Sequence, residues 1–405
     1  MKILLLNQTF YPDNAATSQY LTDLALELAN QGFSVDVISD GRSYDNRHVV
    51  LPRYEVHKGV RIHRINSTAF GKKTQFYRGL DYLSFSLSFI LKLLTLPEYD
   101  IVIGLTTPPW ISFFGVLFAK LKSGKFIHWA MDVNPDEAVK LGWVKENSLF
   151  YKLLNIWARF TYKKSKKIIA LDKYMAQLIH SKGIESHKIR IIPLWSHDEI
   201  VSVRHKENPF RKKCSLDNKF VIMYSGNFSI CHPINTILEA AKALKNQKEI
   251  VFIFIGGGVR LNEILAFKEK HNLENVKYLP YQKREEIKYS LSAADLHIIS
   301  MGEPYVGIVH PCKIYGILST GRPFILVGPI KSHIGDIITQ HNIGYQVNQR
   351  DVDGLLKVIQ EVRHLTDEQK GEMHNISIGL AKNCYAHQIL TATFINCITD
   401  SCKHS

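Results

Sequence analysis

The sequence is short of carboxylates. Its 37 Asp and Glu face 51 Lys and Arg, a formal charge of +14 over 405 residues. Such a surface draws polyanions: nucleic acid, anionic lipid or phosphorylated ligands. A nucleic-acid platform needs aromatic residues interleaved with the cations, and no such motif occurs, so nucleic acid is not an expected partner. Cysteine is also sparse. The six include no CxxC, and none shares zinc spacing with histidine, which excludes a zinc module and a disulfide scaffold. Free thiols of this kind fit a reducing compartment. A long apolar run is missing too. The most apolar stretch, LSFSLSFILKLLTLP (Leu83 to Pro97), is broken by Lys92 and stopped by Pro97, too short to span a bilayer. The opening MKILLL turns polar at Asn7 and Gln8, so it reads as a first buried strand and not as a secretory leader. The expected place is the cytoplasm, peripheral to the inner face of the cell membrane.

What is present is a repeated plan. KILLL, the loop NQTFYPDNAA, the helix TSQYLTDLALELANQG and FSVDVIS form one strand–helix–strand unit. FVIMYSG, NFSICHP, INTILEAAKALKN and IVFIFIGGG form another. In the first helix Leu21, Leu24, Ala25 and Leu28 share a face, Thr17 or Ser18 can cap the start, and Gly32 ends it. Such units imply parallel strands with right-handed crossovers. Further strands are expected at IVIGLT, KFIHWAM, KIIALD, KIRIIPL and DLHIIS. The expected fold is therefore α/β, two Rossmann-like doubly wound domains facing a cleft. The boundaries are 1–200, 201–380 and a C-terminal helical segment 381–405, with the polar stretch Ser196 to Lys219 as linker.

Ligands of such sheets bind beyond the carboxyl ends of the strands, so the loops there carry the chemistry. In YSGNFSICHP, Gly226 permits close backbone approach, while Asn227 and His232 can donate to a phosphate or a sugar hydroxyl. The same loop also reads as a tight turn capped by its Asn. Gly256 to Gly258 do not make a dinucleotide fingerprint; close packing against a ligand or another backbone explains them. In HWAMDVNPDEA, Asn134 is expected to cap, Pro135 to sit at the first helical position and Asp136 and Glu137 in the first turn. His128 and Asp132 have no such explanation: each is either a site residue or a core histidine and a turn former. The cationic run YKKSKK, Tyr162 to Lys167, is a solvated helix end or a surface for phosphate or membrane.

The densest stretch is MGEPYVGIVHPCKIYGILSTGRPFI, from Met301. Gly307, Ile308 and Val309 turn tightly, and Lys313 opens a helix that stops at Gly321. Backbone N–H groups there suit a diphosphate, Lys313 adds a point charge, and Glu303 can accept from sugar hydroxyls. Those are the needs of a nucleotide-diphosphate sugar. The bland reading is a polar loop with a surface lysine.

Across nearly its whole length the sequence resembles the GT-B glycosyltransferases of family 4, in their bacterial surface-polysaccharide branch. The likeness rests on KILLLNQTFYPD, TTPP, DVNPDEA, the YSGN loop with its His, and above all E–G–I and PCKIYGIL–x–x–GRP. It implies a retaining transferase with no metal or other cofactor, a nucleotide-sugar donor (UDP-linked by expectation) on the second domain, and a lipid-linked saccharide acceptor on the first. It implies that Gly226, Asn227, His232, Gly307, Ile308, Val309 and Lys313 bind the donor and that Glu303 grips the sugar. Asp132 or His128 would orient the acceptor hydroxyl, beside the loop Asn14, Ala15 and Ala16. An anionic inner-membrane surface is a further expected partner. The chain departs from the family pattern where Asn14 to Ala16 replace a glycine pair and Gly316 replaces the second of two glutamates. The alternatives are a catalytically inactive scaffold of this fold and a UDP-sugar epimerase.

Overall fold

The apolar runs become the strands of two sheets. The computed structural model describes residues 1–43, 47–68, 70 and 75–403. The first sheet contains β1 (Lys2–Leu6), β2 (Ser34–Asp40), β3 (Tyr54–His57), β4 (Val60–Ile65), β5 (Ile101–Gly104), β6 (Lys125–Ala130), β7 (Lys167–Ala170) and β8 (Ile189–Ile191). Its order is β3-β4-β2-β1-β5-β6-β7-β8, parallel except for the β3–β4 hairpin. The second contains β9 (Phe220–Ser225), β10 (Ile250–Ile255), β11 (Val276–Leu279), β12 (Leu296–Ser300), β13 (Phe324–Val327) and β14 (Tyr345–Val347). Its order is β11-β10-β9-β12-β13-β14, all parallel. Each sheet belongs to one compact unit: residues 1–193 with Gly307–Val309 and Leu390–Ser405, and residues 194–306 with 310–389.

The second sheet shows why its strands read as unbroken apolar runs. Side chains alternate faces along a strand, and parallel sheets are covered on both. Ile222 and Tyr224 of β9 join a core with Phe252, Phe254 and Ile298. Val221 and Met223, between them in sequence, join another with Val251, Ile253 and Leu291. In the first unit Leu4, Leu6 and Val102 meet Phe85, Phe89 and Leu93, the inner row of the helix Gln75–Thr95. The helix His387–Lys403 ends on this unit: Phe394 packs edge-on against Trp129 at 4.7 Å, and Lys125 Nζ donates to the carbonyls of Ser401 and Cys402.

Three local expectations are corrected. The helix after β1 starts at Ala16, and neither Thr17 nor Ser18 caps it: its N-cap is Ala15, with no side-chain bond. Asn134 does not cap either; the helix starts at Asp136, and Asn134 Nδ2 donates to Glu137 instead. The stretch Ser196 to Lys219 is not a free linker. Phe210 and Leu216 enter the core beneath β9, and the buried Arg211 guanidinium donates to the carbonyls of Ala293, Leu216 and Lys219.

Candidate functional site

In the second sheet the strand order reverses between β9 and β12, the place where α/β sheets bind ligands. The loops leaving both strands are built to stay there. Gly226 follows β9 at φ +126°, a conformation that favours glycine. A Cβ on Gly226 would stand 2.6 Å from Lys313 Cε, so the bare glycine leaves the channel in which the lysine lies. Gly256 presses on the same loop, where a Cβ would meet Gly226 O at 2.1 Å, and Gly258 is closed off by Asn227 and Phe228. The glycine run thus packs against a neighbouring backbone. After β12, Gly302 N–H donates to Cys231 O, and Gln349 Nε2 bridges Val327 O and Ser300 Oγ across the ends of β13 and β12. Glu303 opens a short 3-10 turn, Glu303–Tyr305, with its side chain exposed.

Lys313 is the first residue of the helix Lys313–Thr320, whose N-cap Cys312 supplies no side-chain bond. Its Nζ lies 5.1 Å from the centroid of the Tyr224 ring. Burial pushes the ammonium down to about 8. His232 Nδ1–H donates to Ser300 O at 2.7 Å. Burial, then the neighbouring Lys313 charge, push this imidazole well below its ordinary range. The neutral ring therefore presents a lone pair at Nε2, and it can donate to an anion there only after taking up a proton. Arg260, two residues past the glycine run, adds positive potential at Tyr224 and His232. Its backbone N–H donates to Phe228 O, which ties it to the same loop. The sequence signal for Arg260 was its position beside a run that had to pack on the Gly226 loop, and sequence reasoning passed over it.

Gly226, Asn227, His232, Glu303 and Lys313 thus lie on or beside the loops at the carboxyl ends of the central strands β9 and β12. Gly307, Ile308 and Val309 do not open the helix, which begins at Lys313. They pack with the first unit: Val133 N–H donates to Ile308 O at 2.9 Å, and Val309 bridges Asp132. Gly307 is required at φ +74°, where a Cβ would meet Tyr174 O at 2.8 Å. His310 is held by Tyr315, whose hydroxyl lies 2.7 Å from its Nε2 and 3.2 Å from His333 Nε2. Gly316 faces apolar atoms; a Cβ there would meet Leu291 Cδ1 at 3.1 Å and Ile200 Cδ1 at 3.6 Å.

In the first unit Asp132 follows β6, and burial raises its carboxyl well above the usual range, with Glu137 repulsion adding to it. Glu137 is raised by burial as well. The sequence placed Glu137 only in the first helical turn, yet its charge also acts on the neighbouring Asp132 carboxyl. Asp136 takes the structural role: it pairs with Lys182 Nζ at 2.7 Å. His128 lies within β6, buried. Ser112 Oγ donates to Leu105 O, so His128 Nδ1–H donates to Ser112 Oγ at 3.0 Å. Burial takes its pKa down to about 3, and the ring packs edge-on against Tyr162. Asn14 and Ala15 accept from Gln19 through their carbonyls, which fixes the loop ahead of Ala16.

The model of the family described as "Glycosyl transferase 4-like domain" matches residues 16–195, and that of "Glycosyl transferases group 1" matches residues 206–375. WbjE of Pseudomonas aeruginosa, named as a glycosyltransferase, is 24% identical over 74% of each chain. WcaI of Escherichia coli K12, whose name assigns it to colanic acid biosynthesis as a glycosyl transferase, is 22% identical over 89% of this chain and 92% of its own. Among solved structures, Anabaena HepE in complex with UDP-glucose superposes with a TM-score of 0.75 at 15% identity, covering 99% of this chain and 100% of its own. WaaG, a glycosyltransferase involved in lipopolysaccharide biosynthesis, superposes with a TM-score of 0.72 at 14% identity over 96% and 99%. The chain belongs to the family 4 glycosyltransferases of GT-B fold.

Proposed function

We propose that this glycosyltransferase moves a sugar from a UDP-linked donor to a lipid-linked saccharide in surface-polysaccharide synthesis. The transfer retains the anomeric configuration, needs no metal, and takes place on the cytoplasmic face of the cell membrane. The observation that carries the donor reading is Lys313: a half-buried ammonium laid over Gly226, at a helix start, at the switch point of the second sheet. In the reaction the bond from the anomeric carbon to the diphosphate oxygen breaks, and its electron pair leaves with the diphosphate. Lys313, the helix N–H groups and Arg260 stabilise that charge as it develops. Protonated His232 adds a donor. Glu303 accepts from hydroxyls of the transferred sugar. The acceptor oxygen bonds to the anomeric carbon and its proton departs with the diphosphate. Asp132 and the loop Asn14, Ala15 and Ala16 are assigned to the acceptor, with His128 beneath them as a positioning residue. The complexes of HepE with UDP and UDP-glucose, and the polysaccharide roles in the names of WcaI and WaaG, support this reading.

The test is a thermal-shift screen of UDP, GDP, ADP and TDP with their common sugars, in EDTA. A ligand that binds only the native state raises the melting temperature with concentration. UDP compounds are expected to do so, and Lys313→Ala to abolish the shift. No shift by any nucleotide at millimolar concentration would sink the proposal and favour an inactive scaffold. Conversion of the UDP-sugar without acceptor would favour an epimerase.

A further inference from the structure

The helix Lys313–Thr320 begins without a side-chain cap: its N-cap residue, Cys312, makes no capping bond. The next helix, His333–His341, shows the ordinary solution, with Ser332 Oγ accepting from the Gly335 N–H. A serine or aspartate at an N-cap stabilises a helix by occupying one of its first N–H groups. Those N–H groups are the donors that the proposed diphosphate seat requires, so a cap and a ligand would compete for them. A helix that keeps them open must be fixed in another way.

A cluster of rings fixes it. The chain re-enters the second unit at His310, just ahead of Lys313. His310 Nε2 lies 2.7 Å from the Tyr315 hydroxyl, and the two rings stack at 5.8 Å and 19°. The same hydroxyl lies 3.2 Å from His333 Nε2, and the His310 and His333 rings are 4.6 Å apart. Tyr385 closes the cluster, edge-on against Tyr315 at 5.1 Å, while the Tyr315 carbonyl accepts from Ser196 Oγ and Ser319 Oγ. Tyr315 is fully buried and His310 nearly so. The hydroxyl has one proton to give. It donates to one imidazole and accepts from the Nε2–H of the other, a division that phenylalanine cannot make. His310 stands ahead of the N-cap and Tyr315 inside the first turn, so their bond spans the helix start from the side, as a hydrophobic staple does with apolar groups. It joins side chains alone and consumes no backbone N–H.

We propose that His310, Tyr315 and His333 form a clamp that stands in for the missing cap, holding the start of this helix so that its first N–H groups and Lys313 stay open to the diphosphate. Tyr315 is thereby a positioning residue of the donor site. The inference rests on the donor reading above and names what keeps that site ready. Calorimetry with UDP-glucose is run on the full chain as wild type, Tyr315→Phe, His310→Leu and His310→Gln, beside Tm and amide exchange followed by mass spectrometry. Tyr315→Phe keeps the rings packed and removes only the hydroxyl. It is expected to weaken UDP-glucose about tenfold, the loss of one buried hydrogen bond. Amides at the start of the helix are expected to exchange at least about tenfold faster, since the opening there becomes easier. His310→Leu is expected to behave alike. His310→Gln, whose amide can meet the hydroxyl, is expected to bind within about threefold of wild type. A lower Tm in Tyr315→Phe with UDP-glucose still bound at wild-type affinity would reduce the clamp to a structural contact and overturn the proposal. Unchanged exchange at the helix start would overturn it too, as would His310→Gln binding as weakly as His310→Leu. Wild type that ignores UDP-glucose would sink the donor reading itself, and the clamp's role with it. That outcome is read before any variant is compared, so the two failures stay distinct.

Discussion

Replacing Gly226 by alanine tests the donor site at its tightest point. The added Cβ stands 2.6 Å from Lys313 Cε, so the lysine must leave its channel. Two costs follow. The first is on stability: Gly226 sits at φ +126°, and an L-residue held there is strained by about 1–3 kcal/mol. For a unit of this size that lowers Tm by roughly 2–12 °C. The second is on binding. A hydrogen bond from an ammonium to a phosphate contributes about 1.5–3 kcal/mol, so displacing the Lys313 ammonium weakens UDP roughly 10- to 150-fold. Titration calorimetry with UDP on wild type, Gly226→Ala, Lys313→Ala and the double variant separates the two. If Gly226 acts on binding through Lys313, alanine at 226 costs almost nothing further once the lysine side chain is gone, and the double variant binds UDP within about twofold of Lys313→Ala. Additive losses would refute the coupling. Full UDP affinity in Gly226→Ala would refute the idea that the position of Lys313 matters at all.

The remaining expectations concern charge and shape. UDP binds the protonated Lys313, whose free-state pKa is pushed down to about 8, so affinity measured across pH is expected to hold below 8 and to fall up to tenfold per unit above it, a loss that Lys313→Arg removes. Folding moves this lysine down from its ordinary 10.5, so its effect on stability has the opposite sense: the apo protein is least favoured below pH 8, where the buried charge is present, and Lys313→Met is expected to raise the apo Tm at pH 7 while abolishing the UDP shift. Glu303→Gln, at an exposed turn, is expected to leave Tm and UDP affinity nearly unchanged and to slow sugar transfer at least a hundredfold, measured with UDP-sugar and acceptor under saturating conditions. Gly316→Glu restores a family residue but drives it toward Leu291 and Ile200; overpacking plus a buried carboxylate is expected to cost about 2–4 kcal/mol, read as a Tm drop of roughly 5–15 °C, with no gain in UDP affinity.

The order of strands and helices was legible wherever burial on both faces forced an apolar run. KILLL, FVIMYS and IVFIFI are such runs, and each became a strand. The β3–β4 hairpin was not legible. Its strands read YEVH and VRIHRI, because an edge needs only one apolar face. There Asp36, on the buried β2, is paired with Arg61 and with His63, whose Nε2 lies 2.8 Å away. The pairing joins residues 25 and 27 apart, a distance no local pattern reports. The Ser196 to Lys219 stretch misled for a similar reason: composition counts Arg211 as polar, while the carbonyl of the distant Ala293, with those of Leu216 and Lys219, makes it a core residue. In the site, the cluster at Met301 to Lys313 was visible as chemistry packed into a loop. Which backbone groups it presents was not visible. Ile308 and Val309 pair with Val133 and Asp132, a long-range match where the glycine-rich local reading saw only a tight turn.

Lys313 shows why a departure such as Gly316 leaves the donor reading intact. A lysine kept for stability would sit at the surface or beside a carboxylate. Lys313 does neither: it is half-buried against Tyr224, no ion pair to it occurs among the described residues, and the depression from 10.5 to about 8 puts up to roughly 3 kcal/mol against the charged form at neutral pH. That is a large fraction of the net stability of a domain. The same environment lacks only an anion. A diphosphate at the helix start would pair the ammonium, favour proton uptake by His232 and turn the opposing term into binding energy, whereas the glycine at 316 merely leaves an apolar wall undisturbed. A site destabilised in its empty state by an unpaired cation is organised around the charge it is waiting for, and that argument depends on Lys313, Gly226 and His232 alone.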